Sequence, residues 1–454
     1  MIATSPNTRQ PSDFVSRLLA DFPENLKRGE VPVSIFGDDE IWRLELERIF
    51  GRTWHFVGHV TEIPQPGDYV ARQIASTPLI VARGADGVVR ALVDSCRHRA
   101  AKLCRGDQGN AATFTCPYHG WTYTNAGQLV GVPFRAEGYG TGLDPDRWAL
   151  LSARTEIYRG LIFATLDANA VSLEEYLGEF RWYMDIHFAL EPDGLEVIGA
   201  PLRWVVPGNW KIAMENSTGD SYHTASLHRS ISLANLRPPT VPHSDYSVHV
   251  ANCNGHGASI SRSAPGEVLY WGNGPDYEKY YRESGLSAEQ LDLARRSITG
   301  QGSVYPNFTW VHNFASDEQA GDQVGFFALS VLHPTSPTTI EMVRWMLAPA
   351  GASDAEKRRI YEISVANQGP SGLFEADDSI VWSGIAKMGS SPYARTSGAM
   401  LNYEMGMDPT SAARLIPNWP GPGDVYTSRL EDDLAKMLLR NWHKLMTSDE
   451  GGLA

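Results

Sequence analysis

Two short Cys/His pairs constrain this chain more than any other feature. The first is Cys96-Arg-His98; the second, after 17 intervening residues, is Cys116-Pro-Tyr-His119-Gly-Trp121. Each pair fixes two metal donors with little loss of chain entropy, and two such loops need only converge to complete a four-donor site. The loops follow the strand-like runs ending at Val93-Asp94 and Phe114-Thr115, so a rigid sheet would present them. Thiolates and imidazoles suit zinc or iron–sulfur chemistry, and a structural zinc site is the serious competitor to a redox cluster. The pairs use two of the four cysteines, Cys96, Cys104, Cys116 and Cys253; four in 454 residues is not a disulfide framework and points to a reducing compartment. Cys104 is expected to be a small buried residue. His55, His59 and Cys253 have no partner at ligand spacing and are read as ordinary.

At about 150 residues per domain, the length suggests two or three domains. The first 30 or so residues read as a loosely held arm, although Phe14, Leu18, Leu19 and Phe22 have the apolar character to dock as a short helix. Asp38 to Phe50 reads as a helix, with acids near its start as the helix dipole favours. From Trp54 to Leu166 the pattern changes to short strands. Pro78–Ala82 and Val88–Asp94 flank a turn at Gly84-Ala-Asp-Gly87, a hairpin signal; Thr113–Cys116 and Gly160–Thr165 also read as strands. Helices then return behind capping boxes at Ser172/Glu175, Ser287/Gln290, Ser353/Glu356 and Ser428/Glu431. Two strand-like runs, Val324–Leu332 and Thr339–Leu347, are joined by a hairpin connection at Pro334–Pro337. The expected division is an arm and helix over 1–53, a β-rich unit over 54–167 and a larger α+β domain over 168–454, with the first segment packing on the last.

A second constellation runs from Asn209, a plausible N-cap, through Asp220 and His223 to His228. Asp220 and His223 are three apart and would share a helix face. His223 and His228 are five apart, about 140° around a regular helix. For both to hold one metal, the helix must bulge, tighten or end between them. Taken alone, the segment reads more readily as two unrelated surface histidines.

The form C-x-H…C-x-x-H-G-W inside a β-rich unit resembles the Rieske [2Fe–2S] motif. The later run Glu215-Asn216-x-x-x-Asp220-x-Tyr222-His223-x-x-x-x-His228 resembles the mononuclear-iron motif of ring-hydroxylating oxygenase large subunits. The resemblance extends from roughly Phe36 to Trp442 and includes Gly67-Asp-Tyr69, Arg97-His-Arg99 and Gly372-Leu-Phe-Glu-Ala-Asp-Asp378. It implies that Cys96 and Cys116 hold one cluster iron and His98 and His119 the other, an arrangement that raises the reduction potential. It implies a mononuclear Fe(II) held by His223, His228 and Asp378, with Asp377 as the alternative carboxylate. Such a triad leaves adjacent positions open on the metal for oxygen beside a substrate. Asp220 would bridge His223 to His119 of a neighbouring subunit, supported by Tyr118, Glu215 and Asn216. The implied fold is α+β: a Rieske β-sandwich and a helix-grip-like catalytic domain, an antiparallel sheet with covering helices. The implied activity is cis-dihydroxylation of an aromatic substrate as the terminal oxygenase of a multicomponent dioxygenase. A monooxygenase of the same architecture, an aromatic-acid hydroxylase or demethylase, is the alternative.

Other features bound the partners. Thirty-nine basic and 53 acidic residues give a net charge of −14, which argues against nucleic acid. No apolar run approaches the roughly 18 residues that span a bilayer, and Met1–Gln10 is polar, so a soluble cytoplasmic protein is expected. Gly255-His-Gly257 falls short of a dinucleotide fingerprint. Electrons are therefore expected from a separate ferredoxin, an NADH-dependent reductase or both. Transfer between subunits implies a trimer, commonly with small subunits (α3 or α3β3). Phe374 matches a substrate-facing position, beside Asn216, Ser217, Thr218, Ser221 and Thr224. Those hydroxyls leave open a polar or carboxylated aromatic substrate, but they can equally bond backbone carbonyls within the helix. An arginine to clamp a carboxylate would have to come from elsewhere, for instance Arg344.

Overall fold

The computed structural model describes residues 11–233, 247–251, 254–317, 322–427 and 430–448. They divide into two compact units, one spanning Phe50–Leu173, the other joining Arg9–Ile49 to Glu174–Asp449.

In the first unit, seven strands form one antiparallel sheet in the order His55–His59, Leu161–Thr165, Ser152–Tyr158, Val89–Val93, Thr77–Arg83, Asp68–Ile74, Gln108–Asn110. The Thr77–Arg83 strand is apolar on both faces because both are covered. Leu79 and Val81 pack with Ile74 and Ile162, whereas Ile80 and Ala82 alternate to the other side and join Leu92, Phe114, Trp121 and Tyr123. A second, three-stranded sheet (Thr113–Thr115, Thr122–Thr124, Leu129–Gly131) carries the second Cys/His loop. His55 and His59 are buried in structural roles: His55 Nε2 lies 3.0 Å from Phe50 O, and His59 caps the Val60–Glu62 turn. Cys253 lies outside the described residues.

The second unit is built on eight antiparallel strands in the order Leu195–Pro207, Thr339–Pro349, Asp322–Ser336, Phe308–Asp317, Ser297–Val304, Gly257–Arg262, Val248–Ala251, Asp424–Tyr426. One face buries an aromatic core that includes Phe188, Trp310 and Phe327. The other receives the helices Trp210–Gly219, Asp354–Gln368 and Glu375–Gly389, with Ile198, Ala328 and Met346 packing against Ile360 and Val365. The Ser287/Gln290 and Ser353/Glu356 boxes both form. Ser428 lies outside the described residues, and the Glu431 carboxylate accepts from Asp433 N and Leu434 N.

The arm docks as a helix, Asp13–Lys27, burying Leu18, Leu19 and Phe22 as their apolar character allowed, together with Val15 and Leu26, while Phe14 is only half-buried. One local expectation needs correction. The Asp38–Phe50 helix is α-helical only over Asp39–Glu45 and widens to a π-helical turn over Leu46–Phe50. The change follows Glu45, whose buried carboxylate accepts from Lys211 Nζ at 2.5 Å, Trp210 Nε1 at 2.8 Å and Trp442 Nε1 at 2.7 Å. One acid thus ties together the Asp39–Glu45 helix, the start of the His-bearing segment and the C-terminal helix Asp433–Thr447.

Candidate metal centres and active site

In the first unit, each Cys/His loop is closed by its own backbone. Cys96 N donates to Ala101 O and Ala100 N to Cys96 O; Cys116 N donates to Trp121 O and Gly120 N to Cys116 O. Gly120 sits at φ +73°, and a Cβ there would lie 2.8 Å from Pro133, so the residue between His119 and Trp121 has to be glycine. The two thiols are buried, with Tyr123 OH 3.5 Å from Cys96 Sγ. The imidazoles lie toward solvent, their ring centroids 4.5 Å apart; His98 stacks on Trp121, and exposed Tyr118 lies over His119. Burial, then the neighbouring His119, lowers the His98 pKa and favours the neutral ring that a metal needs, and its buried Nδ1 has no hydrogen-bond partner. The donor set, two buried thiols and two imidazoles turned toward solvent, suits a cluster in which the thiolates hold one iron and the imidazoles the other. Cys104 is buried apart from the pairs, its thiol donating to Gly106 O.

In the second unit, the Asn209-capped helix stops at Gly219. A Cβ at Gly219 would lie 2.8 Å from both Leu434 and Ser259, so the helix end is pressed against its neighbours. Asp220 and His223 therefore do not share a helix face. Asp220 instead closes the turn, accepting from Tyr222 N and His223 N, with Oδ2 3.3 Å from His223 Nδ1. A 3-10 turn, His223–Ala225, then swings the chain so that the Nε2 atoms of His223 and His228 lie 3.2 Å apart. Asp378, on the Glu375–Gly389 helix, places Oδ1 3.6 and 3.4 Å from those nitrogens. Asp377 reaches only the far side, with Oδ2 3.5 Å from His228 Nδ1.

Asp378 Oδ1 is buried without a hydrogen-bond partner. A buried carboxylate oxygen facing two imidazole nitrogens is satisfied by a cation shared among all three. Burial raises the Asp220 carboxyl, but its bonds from His223 outweigh this and its pKa is lowered. Beneath it, burial pushes Glu215 up to about 8, although Tyr403 OH donates to it at 2.8 Å. Asn216 Nδ2 lies 3.5 Å from both His223 ring nitrogens.

A cavity of about 150 Å³ opens on the triad, and Asn216, Ser217, Ser221, Thr224 and Phe374 all line it. Phe374 packs edge-on to His228, with centroids 5.0 Å apart. Thr218 does not line it; its hydroxyl bonds Met214 O and Ser303 Oγ. The Ser221 and Thr224 hydroxyls also donate to backbone carbonyls, of Gly219 and Ser221. Arg344 reaches the cavity but is no carboxylate clamp: its guanidinium is paired with Glu375 and bonded to Gln368 O and Ser330 Oγ. The opposite wall, formed by Gln301, Thr309, Asn313 and Ser330, was not anticipated; the alternation of Phe308–Asp317 marks one face but not what that face meets.

A Rieske [2Fe-2S] domain model matches residues 53–149, and the model of the ring hydroxylating alpha subunit catalytic domain matches 173–408. The chain is a ring-hydroxylating oxygenase alpha subunit. It is 33% identical to the benzene 1,2-dioxygenase alpha subunit of Pseudomonas putida, over 98% of this chain and 97% of that one. It is 34% identical to the N,N-dimethyl phenylurea N-demethylase alpha subunit of a Sphingobium strain, over 96% and 95%. Naphthalene 1,2-dioxygenase from Rhodococcus sp., solved with indole bound, superposes with a TM-score of 0.90 at 36% identity, covering 96% of this chain and 98% of that one. The alpha subunit is thus an oxidoreductase that uses dioxygen, with a Rieske [2Fe–2S] cluster and a mononuclear iron as its cofactors. No helix among its described residues is long and apolar enough to cross a membrane.

Proposed function

We propose that this alpha subunit is the terminal oxygenase of a multicomponent dioxygenase that adds both atoms of dioxygen to an aromatic ring as a cis-dihydrodiol. The observation that carries the reading is the convergence of His223, His228 and Asp378 on one cavity, in a chain that also carries the two Cys/His loops. Cys96 and Cys116 would hold the buried iron of the cluster and His98 and His119 the outer one. His223, His228 and Asp378 would hold the mononuclear iron, which supplies the point where dioxygen, electrons and substrate meet. Asp220 orients His223 through Nδ1, and Asp377, with Oδ2 3.5 Å from His228 Nδ1, would do the same for His228 once that ring turns its N–H toward it.

Asp220 would also meet His119 of the partner subunit in an α3 or α3β3 assembly, passing electrons received from a ferredoxin, a reductase or both. The solvent-facing imidazoles, with Tyr118 exposed beside them, support docking at that edge. We place the protein in the cytoplasm and keep the division into an arm (1–53), a Rieske domain (54–167) and a catalytic domain (168–454). The phenylurea demethylase relative supports a second reading, insertion of one oxygen atom. Incubation with labelled dioxygen and a surrogate ferredoxin and reductase separates the two: a diol carrying two labelled atoms is expected, and a product with one overturns dihydroxylation. Asp220→Ala should keep both iron centres while turnover falls by more than tenfold, roughly the range for loss of an orienting carboxylate. Normal turnover would remove the bridging role.

A further inference from the structure

We infer that the cavity beside the triad is built for a neutral, single-ring substrate that carries hydrogen-bonding groups, and that Thr309 and Asn313 set this preference. The inference rests on the oxygenase reading of the site. Its basis is the sheet face that forms the cavity wall. Thr309, Val311 and Asn313 alternate along one strand and so point to the same side. Cross-strand pairing places Gln301 beside Val311, Ser330 beside Thr309 and Arg344 beside Ser330. The wall is therefore a polar row with a single valine among these positions, whereas a hydrocarbon gains nothing from hydrogen-bonding groups and must desolvate them to bind.

The donors are defined by what the residues already do. Asn313 Oδ1 accepts from Phe314 N at 2.9 Å, which turns its amide NH2 away as the free group. Ser330 Oγ accepts from Arg344 Nε at 2.8 Å, so its own O–H remains to donate. Charge is excluded by the same accounting. Arg344 is neutralised by Glu375, and it is the only lysine or arginine among the described cavity residues, so no side-chain cation of the wall is free to pair with a carboxylate substrate. Size follows from the volume of about 150 Å³, comparable to an engineered cavity that holds benzene.

The test uses the iron-loaded protein with three probes of similar size: benzamide, ethylbenzene and benzoate. Equilibrium binding is measured by calorimetry, and turnover by product mass with a surrogate ferredoxin and reductase. Benzamide is expected to bind about tenfold or more tighter than either of the others, the discrimination that a site with unpaired polar groups imposes. Thr309→Val, which keeps the side-chain shape, should shrink that ratio severalfold, and Asn313→Leu should reverse it toward ethylbenzene. Equal or tighter binding of ethylbenzene to the native protein overturns the inference, as does a Thr309→Val ratio that does not move. Tighter binding of benzoate overturns the neutral class. If benzamide binds tightly but no probe is oxygenated, the polar cavity stands and the proposed aromatic-ring dihydroxylation falls.

Discussion

Asp377 and Asp378 are adjacent acids on one helix, and their geometry predicts opposite consequences of removal. Asp378 Oδ1 faces both imidazole Nε2 atoms, whereas Asp377 touches only His228 Nδ1, on the side of the ring away from the triad. Asp378→Ala should therefore abolish mononuclear iron binding. Asp377→Ala should keep the iron at an affinity lowered about 10- to 100-fold, or roughly 1.4–2.7 kcal/mol, the usual loss for a carboxylate behind a ligating histidine. Iron content per chain after reconstitution, with an iron titration for the affinity, reads this directly. The native protein and Asp377→Ala should hold three irons, two of them in the cluster, and Asp378→Ala two.

Stability supplies an independent arm. Without metal, Asp378 Oδ1 is a buried, unpartnered acceptor, so its removal should leave the metal-free protein no less stable, or more stable by about 1–3 kcal/mol. Added iron should then raise the melting temperature of the native chain and not of Asp378→Ala, since only a ligand that binds the folded state shifts the transition. Iron retained in Asp378→Ala and lost in Asp377→Ala would refute the assignment. A metal-free Asp378→Ala that is several kcal/mol less stable would refute the account of its carboxylate.

Two further perturbations test the framework around the site. Glu45→Ala would leave the buried Lys211 ammonium and two indole N–H groups without their acceptor, a loss of about 3–5 kcal/mol, while Glu45→Leu with Lys211→Met should cost much less than the sum of the single changes; additive effects in a denaturant double-mutant cycle would remove the pair from this role. Glu215 is raised by burial from 4.5 to about 8, so in that window the folded chain holds a proton that the unfolded chain has released, and stability from this group falls as pH rises from about 4.5 to 8. Glu215→Gln, which keeps an acceptor for Tyr403, should flatten the melting profile between pH 5 and 8 by a few kcal/mol in total, and a profile as steep as that of the native chain would contradict the burial argument.

What could be seen in advance depended on how local each cause was. The five-residue spacing of His223 and His228 already required a break in the helix, because a regular helix turns them about 140° apart. Its location was hidden, since it depends on Gly219 meeting Leu434 and Ser259, residues far away in sequence. The hairpin of Thr77–Arg83 with Val89–Val93 and the capping boxes at Ser287 and Ser353 were visible for the same reason, each being closed within a few residues. The π-helical turn after Glu45 was not, because its acid bonds to residues 165 to 397 positions away. Arg344 shows the same limit at the substrate: its position suggested a free cation, but Glu375, 31 residues on, takes its charge. The polarity of the cavity follows from register. A one-residue slip of the Phe308–Asp317 strand would turn Phe308 and His312 toward the cavity in place of Thr309, Val311 and Asn313. The lining of the cavity is thus set by strand pairing, which short-range pattern does not encode; the Cys/His pairs stand in motifs short enough to be read directly, whereas Asp378, 150 residues beyond His228, was legible only through the resemblance.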